Sequence, residues 1–314
     1  MAGEPLLATA RDRAHGALLG TFVGDALGMP FEGLPQIDVP AAVEMIAARR
    51  GLGTYTDDTQ MMIAVAESLI ARGRVDEQHL ARAFQAGYDP DRGYGGGTRR
   101  VFELWATGTP IASAAAQIFG GQGSRGNGAA MRIAPVAVLF CEDPERLVAE
   151  ATRSAQLTHA HPVGVDGAVV QAAAIGAALR DEDILEVARS AARTPEMTDG
   201  LRDVGELLGT HPNPVPVHAR LGSSSDARES VCAAIYTALA QPAFEPAVRF
   251  AVGLGGDTDT IAAMTGAIFA ARHGASSIPQ RWLAALENGD RGRTHVEDLA
   301  TRLLAKRPTP GAED

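Results

Sequence analysis

The chain has 314 residues, 46% of them hydrophobic and only 5% aromatic, with a formal net charge of −10. That balance, with no lysine- or arginine-rich run, excludes a general nucleic-acid-binding surface. It leaves room for a small anionic ligand held by backbone amides or metal ions.

Apolar residues in 12–29 fall on one helical face, and Pro30 ends the pattern. Glu32 follows in the sequence Gly28-Met29-Pro30-Phe31-Glu32-Gly33, where a solvated glutamate is the ordinary reading. A helix over 57–72 comes next, and Asp57-x-x-Gln60 reads as a capping box at its start. Helices are expected over 77–87, 98–107 and 110–119, with the glycine-rich loop Arg92–Gly97 before the second of these. A second loop, Gly120–Gly128, runs into the apolar segment 129–140.

Further helical patterns cover 144–156, 162–180, 182–194 and 199–208. The Pro-, His- and Ser-rich stretch 210–226 reads as a long surface loop. Helices resume over 227–240, 244–253, 258–273 and 279–288. No alternating strand pattern appears, so the expected fold is all-α and alanine-rich, one domain over 1–305 with a disordered tail at 306–314. Cys141 and Cys232 read as buried free thiols. The N-terminus has no secretory pattern, and no uninterrupted apolar stretch of about 18 residues argues for a membrane span. A soluble, cytoplasmic monomer is the expectation.

Two acidic clusters stand out, Thr56-Asp57-Asp58-Thr59 and Asp257-Thr258-Asp259-Thr260, the latter after Gly255-Gly256. Each lies at the start of a helical pattern. Capping explains one residue of each cluster, but each offers several, and adjacent carboxylates repel unless a proton or cation intervenes. The all-oxygen set suits Mg²⁺, or Mn²⁺ in its place, better than Zn²⁺, and four carboxylates could hold two such ions. The loop Gly123-Ser124-Arg125-Gly126-Asn127-Gly128 could wrap a phosphate with its amides, or be an ordinary turn. Arg125 could add charge or be solvated; Tyr94 could stack on a ring or simply pack. His159, in Thr158-His159-Ala160-His161, could cap or edge the core.

Together these segments resemble the ADP-ribosylglycohydrolase family, the ADP-ribosyl-acceptor hydrolases. The matching stretches are Gly20–Gly28 with Glu32, Tyr55–Thr59, Gly126–Arg132, Thr158-His159 and Gly255–Ala262, in family order over roughly 14–275. The resemblance implies a compact, all-α orthogonal bundle with a binuclear metal centre, usually Mg²⁺. It implies Thr56, Asp57, Asp58, Asp257, Asp259 and Thr260 as metal ligands and Glu32 as the catalytic glutamate. Gly123, Ser124, Arg125 and Asn127 would line a pyrophosphate loop, and His159 would lie near the distal ribose. Gly93, Tyr94 and Gly97 would border the cleft.

Arg92–Gly95 and Leu221–Val231 are similar to the branch that removes ADP-ribose from serine and cleaves poly-ADP-ribose, whose second segment contacts adenosine. This chain departs from that branch by placing Ser223, Ser224 and Ser225 there, of which Ser223 and Ser225 would take the substrate side, and by Arg125, where the branch often has an aromatic residue. The implied activity is hydrolysis of α-O-linked ADP-ribosyl groups on a modified protein or other acceptor. The alternatives are an ADP-ribosyl-arginine N-glycosidase and a non-catalytic ADP-ribose-binding protein.

Overall fold

The computed structural model describes residues 9–36, 44–48, 50–210 and 212–307. Among them there is no strand, only isolated bridges between Ala48 and Gly51 and between Gly126 and Asp226. The buried apolar side chains form one contiguous cluster reaching from Ala14 to Leu303.

Two helices set the position of everything else. The first, Ala10–Gly28, is capped by Thr9, whose hydroxyl accepts from the Asp12 amide. Gly16, Gly20, Gly24 and Gly28 recur every fourth residue and so share one face. That face lies on the Thr258–His273 helix with no room for a side chain between them. A Cβ at Gly20 would stand 2.2 Å from the Gly266 carbonyl oxygen, and one at Gly24 2.1 Å from that of Ala262. The partners descend in sequence (Ala270, Gly266, Ala262, Thr258) as the glycines ascend, so the helices are antiparallel. The end of the first therefore meets the beginning of the second. Thr258 Oγ1 donates to the Gly28 carbonyl across the junction at 2.9 Å.

The Asp57–Arg72 helix completes this junction. Its cap is Thr56, whose hydroxyl accepts from the Asp58 amide, rather than Asp57. Gln60, expected to close a capping box, instead accepts from the Tyr94 hydroxyl at 2.9 Å.

Several expected elements are differently bounded. The stretch 210–226 is no continuous loop: Asn213 caps a helix over Pro214–Leu221 by accepting from the Val215 amide. A helix over Arg293–Ala305 was not anticipated. Within 129–140 only Ala134–Phe140 is helical, because the amides of Ala130 and Met131 turn back to the Asn127 carbonyl. Pro195–Leu208 starts four residues earlier than expected, capped by Thr194.

The Pro162–Arg180 helix is long and apolar enough to cross a membrane by length and composition, although Asp166 and Gln171 interrupt its apolar run. It runs through the core, and 89% of its apolar window is buried there. Cys141 and Cys232 are buried free thiols, as expected. Of the expected tail, 308–314 lie outside the described residues, while Arg307 is docked, its Nε donating to the Val138 carbonyl at 2.7 Å.

Candidate active site

The first acidic cluster is organised from beneath by Asp25, a fully buried carboxylate in the mostly apolar second half of its helix. Its Oδ1 and Oδ2 accept from the Thr56 amide at 3.0 and 3.1 Å. Its Oδ2 also accepts from the Thr59 amide at 3.1 Å and the Thr59 hydroxyl at 2.6 Å. One helix thus satisfies the free amides at the start of another. Nearby, the Arg92 guanidinium lies 3.7 Å over the Tyr55 ring and pairs with Glu287, fixing the approach to the cluster.

The second cluster follows Gly255 and Gly256, both left-handed, with φ of +71° and +72°. A Cβ at Gly256 would fall 2.2 Å from the Ser223 carbonyl oxygen, so glycine is needed twice over there. The Gly256 amide donates to the Leu34 carbonyl and its carbonyl accepts from the Gly33 amide, both at 2.8 Å. These bonds bring Glu32 over the cluster. Carboxylate oxygens of Glu32, Asp257 and Asp259 all lie within 4.8 Å of one another. Thr260 Oγ1 donates to Asp58 Oδ1 at 3.4 Å, joining the two clusters across 202 residues.

The glycine loop forms the adjoining wall. Its backbone is zipped to the 223–227 segment: the Asn127 amide donates to the Ser225 carbonyl at 2.9 Å, and the Ala227 amide to the Arg125 carbonyl at 3.0 Å. Arg125 is not freely solvated, because its Nε pairs with Asp226 at 2.9 Å. Asn127 Nδ2 donates to Asp257 Oδ2 at 2.6 Å, which ties the loop to the acidic cluster. His159 is buried behind Gly126 and Gly128.

All these walls enclose one cleft of about 660 Å³. It is lined by Glu32, Asp57, Asp58, Asp257, Asp259 and Thr260 on one side. Gly93, Gly97, Gly123, Ser124, Arg125, Asn127, His159 and Ser225 also face it. Three expected site residues do not. Tyr94 is turned into an aromatic cluster with Tyr88 and Phe102, because burying its ring there also satisfies its hydroxyl on Gln60. Ser223 is buried, its hydroxyl paired with His218 and its carbonyl accepting from the Asp257 amide at 2.8 Å. Thr56 spends its hydroxyl on the helix cap and borders a smaller neighbouring cavity that shares Glu32 and Gly93 with the cleft.

Sequence reasoning assigned no role to Asp25, Phe119 or Asp226. For Asp25 there was a signal, a lone carboxylate amid apolar helical residues. Phe119 is 61% exposed at the cleft rim with φ of +51°, a backbone conformation rare for a bulky residue. Nothing in its sequence setting marks it.

The electrostatics of the acidic side are one-signed. Burial, then the neighbouring carboxylates, pushes the Asp57 carboxyl up to about 8 and holds Asp58 and Asp259 well above the usual range. Asp25 rises to about 6 through burial, opposed by its hydrogen bonds. Glu32 is also raised, by desolvation first and then by Asp257 and Asp25. None of these carboxylates forms an ion pair with a described residue, and Asp58 Oδ2 is buried with no hydrogen-bond partner. Crowded, unneutralised oxygens with an orphaned buried acceptor are what a hard divalent cation satisfies. The residues present therefore fit a metal ion.

In an all-α fold, one cleft thus gathers clustered acidic oxygens that fit a cation, a carboxylate at their mouth and a glycine-rich loop, an arrangement that suits a hydrolase of glycosidic bonds. The chain belongs to the ADP-ribosylglycohydrolase family, whose model matches residues 6–313. It is 33% identical to the zebrafish (Danio rerio) protein named ADP-ribosylhydrolase ARH3, over 93% of this chain and 90% of that one. A Pseudomonas putida protein named ADP-ribosylarginine hydrolase Tri1 is 27% identical, over 95% of this chain and 80% of its own. A solved structure titled ADP-ribosylglycohydrolase-related protein complex superposes with a TM-score of 0.78 at 31% identity. It covers 95% of this chain and 98% of that chain.

Proposed function

We propose that this protein is a Mg²⁺-dependent hydrolase that removes ADP-ribose from α-O-glycosidic linkages, on serine or a related oxygen acceptor. The observation that carries this reading is the convergence of Glu32, Asp257 and Asp259 within 4.8 Å, in the cleft that also holds the glycine loop. The higher identity to a relative named ARH3 than to one named an arginine hydrolase supports an oxygen acceptor.

The roles divide along the cleft. Amides of the Gly123–Gly128 loop receive the pyrophosphate, and Arg125, held by Asp226, adds charge at its edge. The exposed Phe119 ring at the rim offers a flat apolar face to the adenine. Asp57, Asp58, Asp257, Asp259 and Thr260 would hold two Mg²⁺, or Mn²⁺, which when bound fix the distal-ribose hydroxyls and neutralise the carboxylates. Glu32 stands at the mouth of this set with its pKa raised, so it can carry a proton to the departing acceptor oxygen or take one from the attacking water.

The test is a panel of ADP-ribosylated peptides, serine- and arginine-linked, turned over with Mg²⁺ and with EDTA. Serine-linked substrate should be cleaved with Mg²⁺ alone. Preference for the arginine linkage would move the protein to N-glycoside chemistry. In Glu32→Gln, turnover should fall about 10²- to 10⁴-fold with ADP-ribose binding kept; ADP-ribose bound but nothing released by the wild type would leave a binding protein.

A further inference from the structure

Arg132 is fully buried, and its guanidinium lies 4.8 Å from the centre of the Phe84 ring. It donates to the Gly128 carbonyl at 2.9 Å, the Ser154 carbonyl at 3.1 Å and Thr158 Oγ1 at 2.8 Å. Arginine has no acceptor to offer, so Thr158 Oγ1 must accept in that bond. The hydroxyl's own proton remains, and His159 Nδ1 lies 2.8 Å away. Were Nδ1 protonated, Thr158 Oγ1 would face two donors and its own proton would lose this acceptor. The consistent arrangement has Nδ1 accepting and the ring proton on Nε2.

Nε2 lies on the loop side of the ring, together with Cε1, which a Cβ on Gly128 would approach to 3.2 Å. A Cβ built on Gly126 would come 3.8 Å from Nε2, and one on Gly128 3.4 Å. Burial, reinforced by the Arg132 charge, holds the ring pKa down at about 3, so the imidazole stays neutral. The guanidinium that orders Thr158 also grips the Gly128 carbonyl, so loop and ring share one anchor.

We propose that Arg132 and Thr158 are positioning residues that lock His159 as the Nε2–H tautomer, presenting one fixed, uncharged donor to a ligand oxygen seated in the Gly123–Gly128 loop. A histidine free in solution exchanges its proton between two nitrogens; here the choice is made before the ligand arrives. The identity of the ligand rests on the proposed function, whereas the tautomer does not.

The ring state is read directly by long-range ¹H–¹⁵N spectra of ¹⁵N-histidine-labelled protein near neutral pH. Protonated Nε2 with bare Nδ1 is expected; a protonated Nδ1, or an imidazolium, overturns the proposal. ADP-ribose is the binding probe. Thr158→Val should mix the tautomers and weaken binding about tenfold, roughly one hydrogen bond, with Thr158→Ser restoring both. His159→Gln, whose amide N–H reaches the Nε2 position, should keep more affinity than His159→Asn; equal loss in both overturns the donor role. That pair and the wild-type spectrum decide the matter even if Thr158→Val fails to fold. Failure of the wild type to bind ADP-ribose would overturn the functional reading, and the spectrum would still decide the tautomer.

Discussion

The two acidic helix starts carry nearly the same residues and are built in opposite ways. The Asp57 start is held from beneath: Asp25, on another helix, accepts from Thr56 and Thr59, and Thr56 caps the turn. The Asp257 start has no side-chain cap and is held from its flanks, by the Ser223 carbonyl, by Asn127, and through Gly256 by the segment bearing Glu32. The first is a fixed floor; the second is the part in touch with the loop and the mouth carboxylate. Similar sequence therefore serves two mechanical tasks, and the neighbours decide which.

Four experiments test this contrast. The largest effect is expected at the flank-held start. Asp259→Ala should lower turnover at least about 10²- to 10³-fold, because it removes an oxygen from the cation site while the fold is kept. Near-normal turnover with unchanged bound metal would refute a site shared between the two starts.

Asp25→Ala strikes the floor. It leaves the Thr56 and Thr59 amides without acceptors, at about 1–3 kcal/mol each, partly offset by removing a buried charge. Urea denaturation should show a loss of about 3 kcal/mol, and calorimetric titration a Mg²⁺ affinity reduced about 10- to 100-fold. A variant that loses turnover at unchanged stability and metal affinity would mean Asp25 acts on substrate instead.

The third concerns pH. Folding raises the Asp57 carboxyl from its ordinary 3.8 to about 8, so across that interval the folded chain keeps a proton that the unfolded chain gives up. Stability of the metal-free protein therefore falls as pH rises from about 4 to about 8. A divalent cation takes the proton's place. Mg²⁺ in excess should raise the melting temperature by ~5 °C at about pH 8 and by less at about pH 5. An equal shift at both would separate metal binding from these carboxylates.

The smallest effect is expected at the edge of the floor. Tyr94→Phe removes the hydroxyl bonded to Gln60 and should cost about 1 kcal/mol by thermal or urea unfolding, with turnover almost unchanged. A KM increase at unchanged stability would return Tyr94 to the cleft.

Much of the site was legible in the chain. Both acidic clusters and both glycine loops announce themselves by composition, and most of their residues face one cleft. Tyr94 and Ser223 were misplaced because a motif position does not reveal which way a side chain turns. Tyr94 finds a deeper apolar contact and a buried acceptor, and Ser223 finds His218. Phe119 was missed because its value lies in exposure and a left-handed backbone, neither of which is written in local sequence.

The helical class is already written in the chain's periodicity and caps, and the oxygen character of the site in its residue types. Which oxygens meet depends on how the helices pack. The four-residue glycine ridge from Gly16 to Gly28 lets two backbones touch and sets the end of one helix against the start of another. With that junction set, the Asp25 bonds hold Thr56 above it, Thr260 meets Asp58, and the bonds of Gly33 and Leu34 to Gly256 bring Glu32 within reach of Asp257 and Asp259. Residue type is a local property of the chain. Convergence of like charges is not: it is unfavourable in itself, and close packing elsewhere must impose it.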